Sequence, residues 1–356
     1  MKPFLAVPRV TFGRSSFNSL SKVVDARRSG AAQNVVYIVD EVFQERELPS
    51  RIPLEQGDRI LFVNVEEEPK TRLIDELVAQ VRGMYSSADQ IVAVVGIGGG
   101  STLDICKAVS ILLTNGGRAE DYQGWDLVER AGKYKIGVPT LSGTGAEVSR
   151  TCVLTSETKK QGINSVYSIF DELVLDPELL KGISDSQRFF TAMDCYIHSV
   201  ESLRGTFING FSRAFAEKAR DMCVSVFLDQ PADSDEKLMM ASYFGGCSIV
   251  YSEVGICHAL SYGLSFVFGY HHGIANCIVF DKLEKYYPDD LPVFREMVHR
   301  NNIEIPSHVL AEASDEQLKV MTSMAYMMEK PLRNALGDNW RSILTPEVVR
   351  ELYRTM

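Results

Sequence analysis

Residues 91–101 read IVAVVGIGGGS, and this stretch decides the fold class that the sequence predicts. The apolar run at 91–97 is rich in β-branched residues, which is typical of a strand buried within a sheet. Glycines follow at once, and a helical pattern begins near Thr102. A strand, a glycine turn and a helix in this order predict one unit of a parallel α/β sheet.

The sequence on either side repeats this alternation. Strands are predicted at 35–40 (VVYIVD), 60–65 (ILFVNV) and 136–139 (IGVP), and a helix is predicted at 70–83, where apolar residues line one face. From 187 onward helical periodicity dominates, as in 211–228 and 236–250. We therefore predict a Rossmann-like α/β domain at residues 1–180, with a parallel sheet covered by helices on both faces, and an all-α domain at residues 181–356.

Composition excludes several classes of protein. The chain has 356 residues, 45% of them hydrophobic, and a formal net charge of -10, which argues against a nucleic-acid partner. The first residues, MKPFLAVPRVTFG, contain prolines and lack the apolar core of a signal peptide, and no apolar run is long enough to span a membrane. Seven cysteines without a CxxC pair indicate reduced thiols and a cytoplasmic protein.

The glycine turn is the first candidate for a binding site. Gly98, Gly99 and Gly100 allow the backbone to approach a ligand closely, and the helix that begins near Thr102 offers unpaired N–H groups to a phosphate. The pattern departs from the Rossmann GxGxxG fingerprint because Ser101 stands in place of the third glycine. A tight strand-to-helix turn without a ligand is the alternative interpretation.

Two further segments are candidates for the same crevice. Asp40 ends the strand predicted at 35–40, where a carboxylate can accept hydrogen bonds from a ribose hydroxyl and repel a 2′-phosphate, although an N-cap role is equally typical of an aspartate there. Residues 139–145 (PTLSGTG) form a second loop of small residues after a strand. They lack the GxSxG pattern of a hydrolase.

A second kind of site is predicted from the histidines, of which four of six fall in two short stretches. Asp194 and His198 are four residues apart on a predicted helix and share one face of it, while His258 and His272 are fourteen residues apart. One carboxylate and three imidazoles suit Zn²⁺ or Fe²⁺ with an open position for substrate. A surface or capping pair is the alternative for Asp194 and His198, because spacing alone does not bring the two stretches together.

Taken together, the motifs resemble those of the iron-containing alcohol dehydrogenases, which are related in fold to dehydroquinate synthase. The matching positions run in order from about residue 4 to about residue 285 and comprise Gly98-Gly99-Gly100-Ser101, Asp104, Lys107, Pro139-Thr140, Gly145-Ala146-Glu147-Val148, Asp176-Pro177, Met193-Asp194, His198, Glu201, His258 and His272-Gly273-Ile274-Ala275-Asn276. The resemblance implies a dinucleotide cofactor, NAD or NADP, in a cleft between an α/β and a helical domain. It also implies a homodimer.

The resemblance assigns roles to individual residues. The metal ligands carry over onto Asp194, His198, His258 and His272, and a small-molecule alcohol is the implied substrate. The cofactor contacts carry over onto Asp40, Gly98, Gly99, Gly100, Ser101, Asp104, Thr140, Thr144 and Lys160. Asp40 matches the position at which an aspartate accompanies a preference for NAD over NADP in the family.

The chain departs from the family pattern in two places that concern proton transfer. Many members have a histidine where this chain has Tyr262, and the residue before the last ligand, often proline, is His271. Either residue, or water, is therefore a candidate for the proton relay. The chain is also shorter than typical members after about residue 290.

The segments around 149–152, 194–202 and 257–263 are similar to one branch of the family, the 3-deoxy-D-manno-octulosonate 8-oxidases of lipopolysaccharide sugar modification. A sugar acid needs a cation, which Arg150 or Arg204 would supply, and a structural or surface role is the alternative for both.

The predicted function is therefore metal-dependent oxidation of a primary alcohol to an aldehyde, with that sugar acid as the expected substrate and NAD, NADP or dioxygen as the acceptor. Three alternatives remain open from the sequence. They are a dehydrogenase of small alcohols or polyols, a lyase similar to dehydroquinate synthase, and a metal- and nucleotide-binding protein without turnover.

Overall fold

A computed structural model describes residues 6–30 and 32–356 of the chain, so the first five residues of the stretch examined for a signal peptide lie outside the described residues. The chain forms two compact units. The first comprises Met1–Leu141 and Ala146–Lys181, and the second comprises Ser142–Gly145 and Gly182–Met356. The short segment Ser142–Gly145 thus belongs to the second unit although it interrupts the first.

The first unit contains the strands and three helices. The strands are β1 (Val10–Phe12), β2 (Asn34–Asp40), β3 (Arg59–Val63), β4 (Ile91–Gly98), β5 (Gly124–Trp125), β6 (Tyr134–Pro139), β7 (Thr151–Thr155), β8 (Lys160–Asn164) and β9 (Glu172–Leu175). The helices are α1 (Leu20–Asp25), α2 (Thr71–Met84) and α3 (Gly100–Leu112). Six strands form one sheet in the order β1-β9-β6-β4-β2-β3, and every neighbouring pair in it is parallel.

Helices cover both faces of this sheet because successive side chains of a strand point to opposite sides. Val35, Tyr37 and Val39 of β2 belong to a buried cluster that also contains Leu20 and Val24 of α1. On the other face α3 lies directly on β4. A Cβ atom at Gly96 would lie 2.7 Å from Cys106 Cβ, so this glycine permits the close approach of helix to strand. The predicted α/β fold class is confirmed.

The strand order reverses between β2 and β4. From β2 the chain moves outward to β3 on one side, and it then returns to β4 and continues outward through β6 on the other. In parallel α/β sheets, ligands bind at the carboxyl ends of the strands where the order reverses in this way. Those ends are Asp40 and Gly98, and the preceding residues, Val39 and Ile97, are directly paired.

The remaining strands form a small second sheet in the same unit, in the order β5-β8-β7. Strands β7 and β8 pair antiparallel, and the two-residue β5 pairs with β8 in parallel. The amide nitrogen of Val153 in β7 donates to Asp104 of α3 over 2.9 Å, which ties this sheet to the helix after the glycine turn.

The second unit is helical, and its described residues contain no strand. Its helices are α4 (Asp185–Arg204), α5 (Gly210–Val224), α6 (Ser234–Ser252), α7 (Ile256–Phe268), α8 (His272–Phe280), α9 (Leu291–Arg300), α10 (Asp315–Met327), α11 (Glu329–Leu336), α12 (Trp340–Ile343) and α13 (Pro346–Arg354). Helix α4 is central, since it contacts α5, α6, α7 and α8. Among the described residues, no helix is long and apolar enough to cross a membrane.

The elements differ in extent from their predictions at several ends. Helix α3 begins at Gly100 rather than near Thr102, and the strand predicted at 60–65 ends at Val63. The helix predicted at 211–228 ends at Val224 and continues as a π-helical turn, Ser225–Asp229. Strands β1, β5, β7, β8 and β9 have no counterpart in the prediction.

Candidate active site

The carboxyl edge of the large sheet brings several predicted nucleotide contacts together. Gly98 ends β4, and its carbonyl oxygen accepts a hydrogen bond of 2.9 Å from the backbone nitrogen of Thr140, the residue after β6. A Cβ atom at Gly98 would lie 2.4 Å from Thr102 Oγ1, and one at Gly99 would lie 2.8 Å from Leu141 Cδ1. Glycine is therefore needed for the packing of this turn itself, and the amides at the start of α3 face the same edge.

Asp40 satisfies the capping interpretation and also keeps the position expected of a ribose contact. One of its carboxylate oxygens accepts a hydrogen bond from Val42 N over 3.1 Å at the start of a short 3-10 turn. Burial raises the pKa of Asp40 above its usual value. The residue lies at the carboxyl end of β2, beside the end of β4. The cap engages one oxygen, so the second oxygen remains for a ligand.

Asp104 and Lys160 are held inside the first unit by other residues. Asp104 Oδ1 lies 3.3 Å from Lys107 Nζ, and its Oδ2 accepts from Val153 N. Lys160 Nζ donates to Glu68 Oε1 over 2.6 Å. Both predicted cofactor contacts are thus engaged in packing the first unit. Thr144 lies in the segment Ser142–Gly145, which belongs to the second unit.

The second unit brings the predicted metal ligands together around Asp194. One ligand atom from each of Asp194, His198 and His258 lies within 4.8 Å of the others, and all three residues are buried. His198 Nε2 is 3.4 Å and His258 Nε2 is 3.1 Å from Asp194 Oδ1, while His272 Nε2 is 3.7 Å from Asp194 Oδ2. The rings of His198 and His258 are stacked at a centroid distance of 4.6 Å.

Each ligand is placed by its helix. Asp194 and His198 are one turn apart on α4, so both point to the same side of that helix. His258 lies in the first turn of α7, and His272 is the first residue of α8. Because α4 packs against both α7 and α8, residues separated by more than 60 positions converge.

The electrostatics of Asp194 and His198 suit a divalent cation. Burial raises the pKa of Asp194, but the charges of His198 and His272 and a hydrogen bond from His258 outweigh burial and hold that pKa well below its usual range. Burial lowers the pKa of His198 to about 4. A charged carboxylate and a neutral imidazole are the forms that bind metal. Asp194 Oδ2 is buried without a hydrogen-bond partner among the described residues, as expected of an atom reserved for a cation.

Sequence reasoning included Asn276 and Glu201 only as motif positions and missed their roles. Asn276 Nδ2 lies 2.8 Å from Asp194 Oδ1 and 3.3 Å from His272 Nε2. Glu201 Oε2 lies 2.5 Å from His258 Nδ1. The His258 ring therefore contacts Glu201 through Nδ1 and Asp194 through Nε2. Burial lowers the pKa of His258, but Glu201 and Asp194 outweigh burial and raise it to about 9. The helical spacing from Asp194 to Glu201 and from His272 to Asn276 is a signal for both residues.

The two proton-relay candidates differ in position. The ring of Tyr262, one turn after His258 on α7, packs edge-on against His272 at a centroid distance of 5.7 Å. His271 is exposed and is the N-cap residue of α8. Tyr262 is therefore in direct contact with a predicted ligand, whereas His271 faces solvent next to one.

The two arginines proposed for substrate binding both pair with carboxylates. Arg150 forms an ion pair with Asp126, and its guanidinium lies 5.6 Å from the centroid of the Trp125 ring. Arg204 Nε donates to Asp290 Oδ2 over 2.7 Å. Both contacts match the structural role that was the alternative for these residues.

Comparison with known proteins agrees with this combination of an α/β unit and a buried Asp–His cluster in a helical unit. Residues 8–177 match the family described as "Iron-containing alcohol dehydrogenase", and residues 189–331 match "Fe-containing alcohol dehydrogenase family, C-terminal". The chain belongs to the iron-containing alcohol dehydrogenase family.

Individual relatives share about 30% of their residues with this chain over the matched segments. The chain is 31% identical over 206 residues to alcohol dehydrogenase 4 of Schizosaccharomyces pombe, a match that covers 56% of this chain and 49% of that protein. It is 28% identical over 291 residues to long-chain-alcohol dehydrogenase 1 of Geobacillus thermodenitrificans, covering 77% of this chain and 72% of that one. The chain thus spans about half the length of the first relative.

Solved structures share the whole fold. A 1,3-propanediol oxidoreductase superposes with a TM-score of 0.82 at 20% identity and covers 99% of both chains. The iron-containing alcohol dehydrogenase of Thermotoga maritima superposes with a TM-score of 0.80 at 23% identity, again covering 99% of both chains. At these identities the similarity establishes the fold.

Proposed function

We propose that this protein is a metal-dependent alcohol dehydrogenase that transfers hydride between a primary alcohol and NAD. The observation that carries the proposal is the convergence of three imidazoles, those of His198, His258 and His272, on the buried carboxylate of Asp194 in the helical unit. We assign the nucleotide to the α/β domain predicted at residues 1–180 and the metal to the helical domain predicted at residues 181–356. The aldehyde and NADH are the products, and the reverse reaction uses the same site.

Asp194, His198, His258 and His272 would hold the metal, and Fe²⁺ is the ion we favour because the family is described by it. When bound, such an ion polarises the alcohol oxygen as a Lewis acid. Tyr262 contacts the His272 ring and is therefore our first choice for relaying the alcohol proton, accepting it while releasing its own phenolic proton to solvent, with the exposed His271 as the alternative. Zn²⁺ fits the same ligands.

Preference for NAD over NADP follows from charge at the carboxyl edge of the sheet. Asp40 ends β2, and Glu41 follows it. A 2′-phosphate would be repelled by these carboxylates, whereas a ribose 2′-hydroxyl can donate to Asp40. We assign the pyrophosphate to Gly98, Gly99, Gly100 and Ser101, and we propose Thr140, Thr144, Asp104 and Lys160 as further contacts of the cofactor.

A sugar acid of the 3-deoxy-D-manno-octulosonate type is the narrower substrate proposal. Its support is the motif resemblance alone, since Arg150 and Arg204 are both paired with carboxylates. Such a substrate would have to displace Asp126 or Asp290 to reach a guanidinium. Relatives named long-chain-alcohol dehydrogenase 1 and 1,3-propanediol dehydrogenase support an uncharged alcohol instead, whereas a relative named sulfoacetaldehyde reductase acts on an anion.

The test is turnover of protein loaded separately with Fe²⁺ and Zn²⁺ and freed of excess metal. Substrates are short and long primary alcohols, 1,3-propanediol and the sugar acid, each with NAD, NADP or dioxygen as acceptor. We expect NADH formation from an uncharged primary alcohol. Absence of turnover with every pair, despite bound metal and NAD, would favour a protein without catalysis.

A matched pair of variants tests the metal assignment. His272→Ala should lose bound metal and turnover while NAD binding is retained, because His272 approaches Asp194. His299→Ala removes an exposed histidine of α9 and should keep both. Arg150→Ala should raise the KM of the sugar acid alone if that substrate is correct.

A further inference from the structure

We propose that Glu201 is a positioning residue that fixes both the ring of His258 and the start of the helix that carries it. The inference rests on the proposed metal site and adds a role for a residue that does not itself bind the metal. Glu201 is 1% exposed and lies on α4, seven residues after Asp194 and three after His198. One face of α4 thus carries two ligands and the group that orients a third.

Both carboxylate oxygens of Glu201 accept hydrogen bonds. Oε2 lies 2.5 Å from His258 Nδ1, and Oε1 accepts a hydrogen bond of 2.6 Å from the backbone nitrogen of Cys257. The hydroxyl of Tyr287 approaches Oε1 at 3.4 Å. No lysine or arginine among the described residues forms an ion pair with Glu201, so its charge is directed at His258 and the helix terminus.

The contact with Cys257 makes Glu201 a cap supplied by another helix. Helix α7 begins after Gly255, which has no side chain to cap the first turn. The orphan N–H of Cys257 is satisfied by Glu201 instead, and a carboxylate at a helix N-terminus is also favoured by the helix dipole. A Cβ atom at Gly255 would lie 3.0 Å from Glu201 Oε1, so glycine leaves room for this carboxylate.

The contact with His258 fixes the orientation of the imidazole. A carboxylate only accepts hydrogen bonds, so Nδ1 carries the hydrogen and Nε2 is the atom directed at Asp194, 3.1 Å away. A carboxylate–histidine–metal arrangement of this kind holds the ring in the tautomer that ligates. Because the same carboxylate caps α7, the position of the helix and the rotation of the ring are set together.

Glu201→Gln separates these two contacts. A glutamine has one amide oxygen, which can accept from Cys257 N or from His258 Nδ1 but not satisfy both as the carboxylate does. If the oxygen serves Cys257, the amide NH₂ faces Nδ1 and forces the hydrogen onto Nε2, which then cannot ligate. If it serves His258, the NH₂ opposes the Cys257 N–H. Either arrangement should weaken metal binding.

The experiment measures the dissociation constant for Zn²⁺ by chelator competition in the full-length wild type and in Glu201→Gln. We expect the variant to bind about 10–100-fold more weakly, the usual effect of losing an outer-shell partner. Ser199→Ala is the matched control. It removes a buried hydrogen bond of 2.9 Å to Cys195 O in the same helix and should leave the constant unchanged.

An unchanged dissociation constant in Glu201→Gln, or an equal loss in Ser199→Ala, would overturn the assignment. Should Glu201→Gln fail to fold, nitrogen-15 NMR of the histidines in Zn²⁺-loaded wild type decides the question. We expect hydrogen on Nδ1 of His258, and hydrogen on Nε2 would refute the proposal. Failure of the wild type to bind Zn²⁺ would instead refute the metal site itself.

Discussion

The side-chain amide of Asn276 donates to Asp194 Oδ1 over 2.8 Å, at the centre of the histidine cluster. The same nitrogen lies 3.2 Å from His258 Nε2 and 3.3 Å from His272 Nε2. Asn276 is one turn after His272 on α8 and is fully buried. The neutral amide of Asn276 therefore lies next to the position that a cation bound by these residues would occupy.

Replacing Asn276 with aspartate should make the protein more dependent on metal. Asn276→Asp has nearly the same shape but places a second carboxylate beside Asp194, and two like charges in a buried site repel each other. We expect a lower Tm without metal and a larger rise of Tm on addition of Zn²⁺ than in the wild type. Differential scanning fluorimetry with and without the metal measures both.

The control for that change is Asn276→Ala, which removes the donor to Asp194 without adding charge. It should lower the metal-free stability by about 1.5–3 kcal/mol, the usual contribution of a hydrogen bond to a charged group, without enlarging the metal-induced rise of Tm. Equal metal-induced shifts in the aspartate variant and the wild type would show that position 276 does not face the bound ion.

Replacing Asp40 with serine should shift the cofactor preference toward NADP. The substitution removes the carboxylate at the end of β2 that opposes a 2′-phosphate, while the serine hydroxyl still caps the turn at Val42. We expect the ratio of kcat/KM for NADP to that for NAD to rise about tenfold or more, since like-charge contacts cost several kcal/mol. Initial rates with each cofactor give the ratio.

Asp89→Ser provides the control for net charge. Asp89 has a side chain that is 93% exposed and lies in the turn just before β4, at the amino edge of the sheet. Its loss changes the charge of the protein by the same amount without altering the carboxyl edge. A ratio that rises equally in this variant would mean that Asp40 has no local role.

Gly143 should tolerate alanine far less well than another glycine of the second unit with positive φ. At Gly143, with φ +153°, a Cβ atom would lie 1.7 Å from the carbonyl oxygen of Thr191 in α4. Gly182, with φ +82°, has no atom within 4 Å of the added Cβ. We expect Gly143→Ala to lower the free energy of unfolding by about 1–3 kcal/mol more than Gly182→Ala, because overpacking adds to backbone strain. Urea unfolding compares them, and equal losses would argue against the contact with α4.

The sequence predicts the parts of the fold where burial is continuous. Strands β2 and β4 are long apolar runs and β6 contains the apolar segment 136–139, and each lies close to its predicted position. Strand β1 has three residues, two of them exposed, and β8 reads KQGIN, so neither has the apolar signal of a buried strand. Pairing with a neighbour, rather than local propensity, makes these segments strands.

The same limit applies to the site. Helical spacing alone pairs Asp194 with His198, but α5 and α6 lie between His198 and His258 in the sequence. Only the packing of α4 against α7 and α8 joins the two stretches. Helical spacing places Glu201 on the face of α4 that carries Asp194 and His198, but its role depends on His258, 57 residues away, and that contact is not visible in the sequence.

Asp104 offers a final test, because the family resemblance implies a cofactor contact and the structure gives its carboxylate two partners inside the first unit. It pairs with Lys107, whose side chain is fully buried, and accepts from Val153 N. Asp104→Asn should lower the free energy of unfolding by about 3–5 kcal/mol, since it leaves the Lys107 charge without its counter-charge. Asp104→Asn combined with Lys107→Met removes that charge and should recover much of the loss.

Urea unfolding and NAD titration of both variants separate the packing role of Asp104 from a role in cofactor binding. If Asp104 acts only by packing, NAD affinity recovers with stability in the double variant, whereas a stable double variant that still fails to bind NAD would establish direct contact with the cofactor.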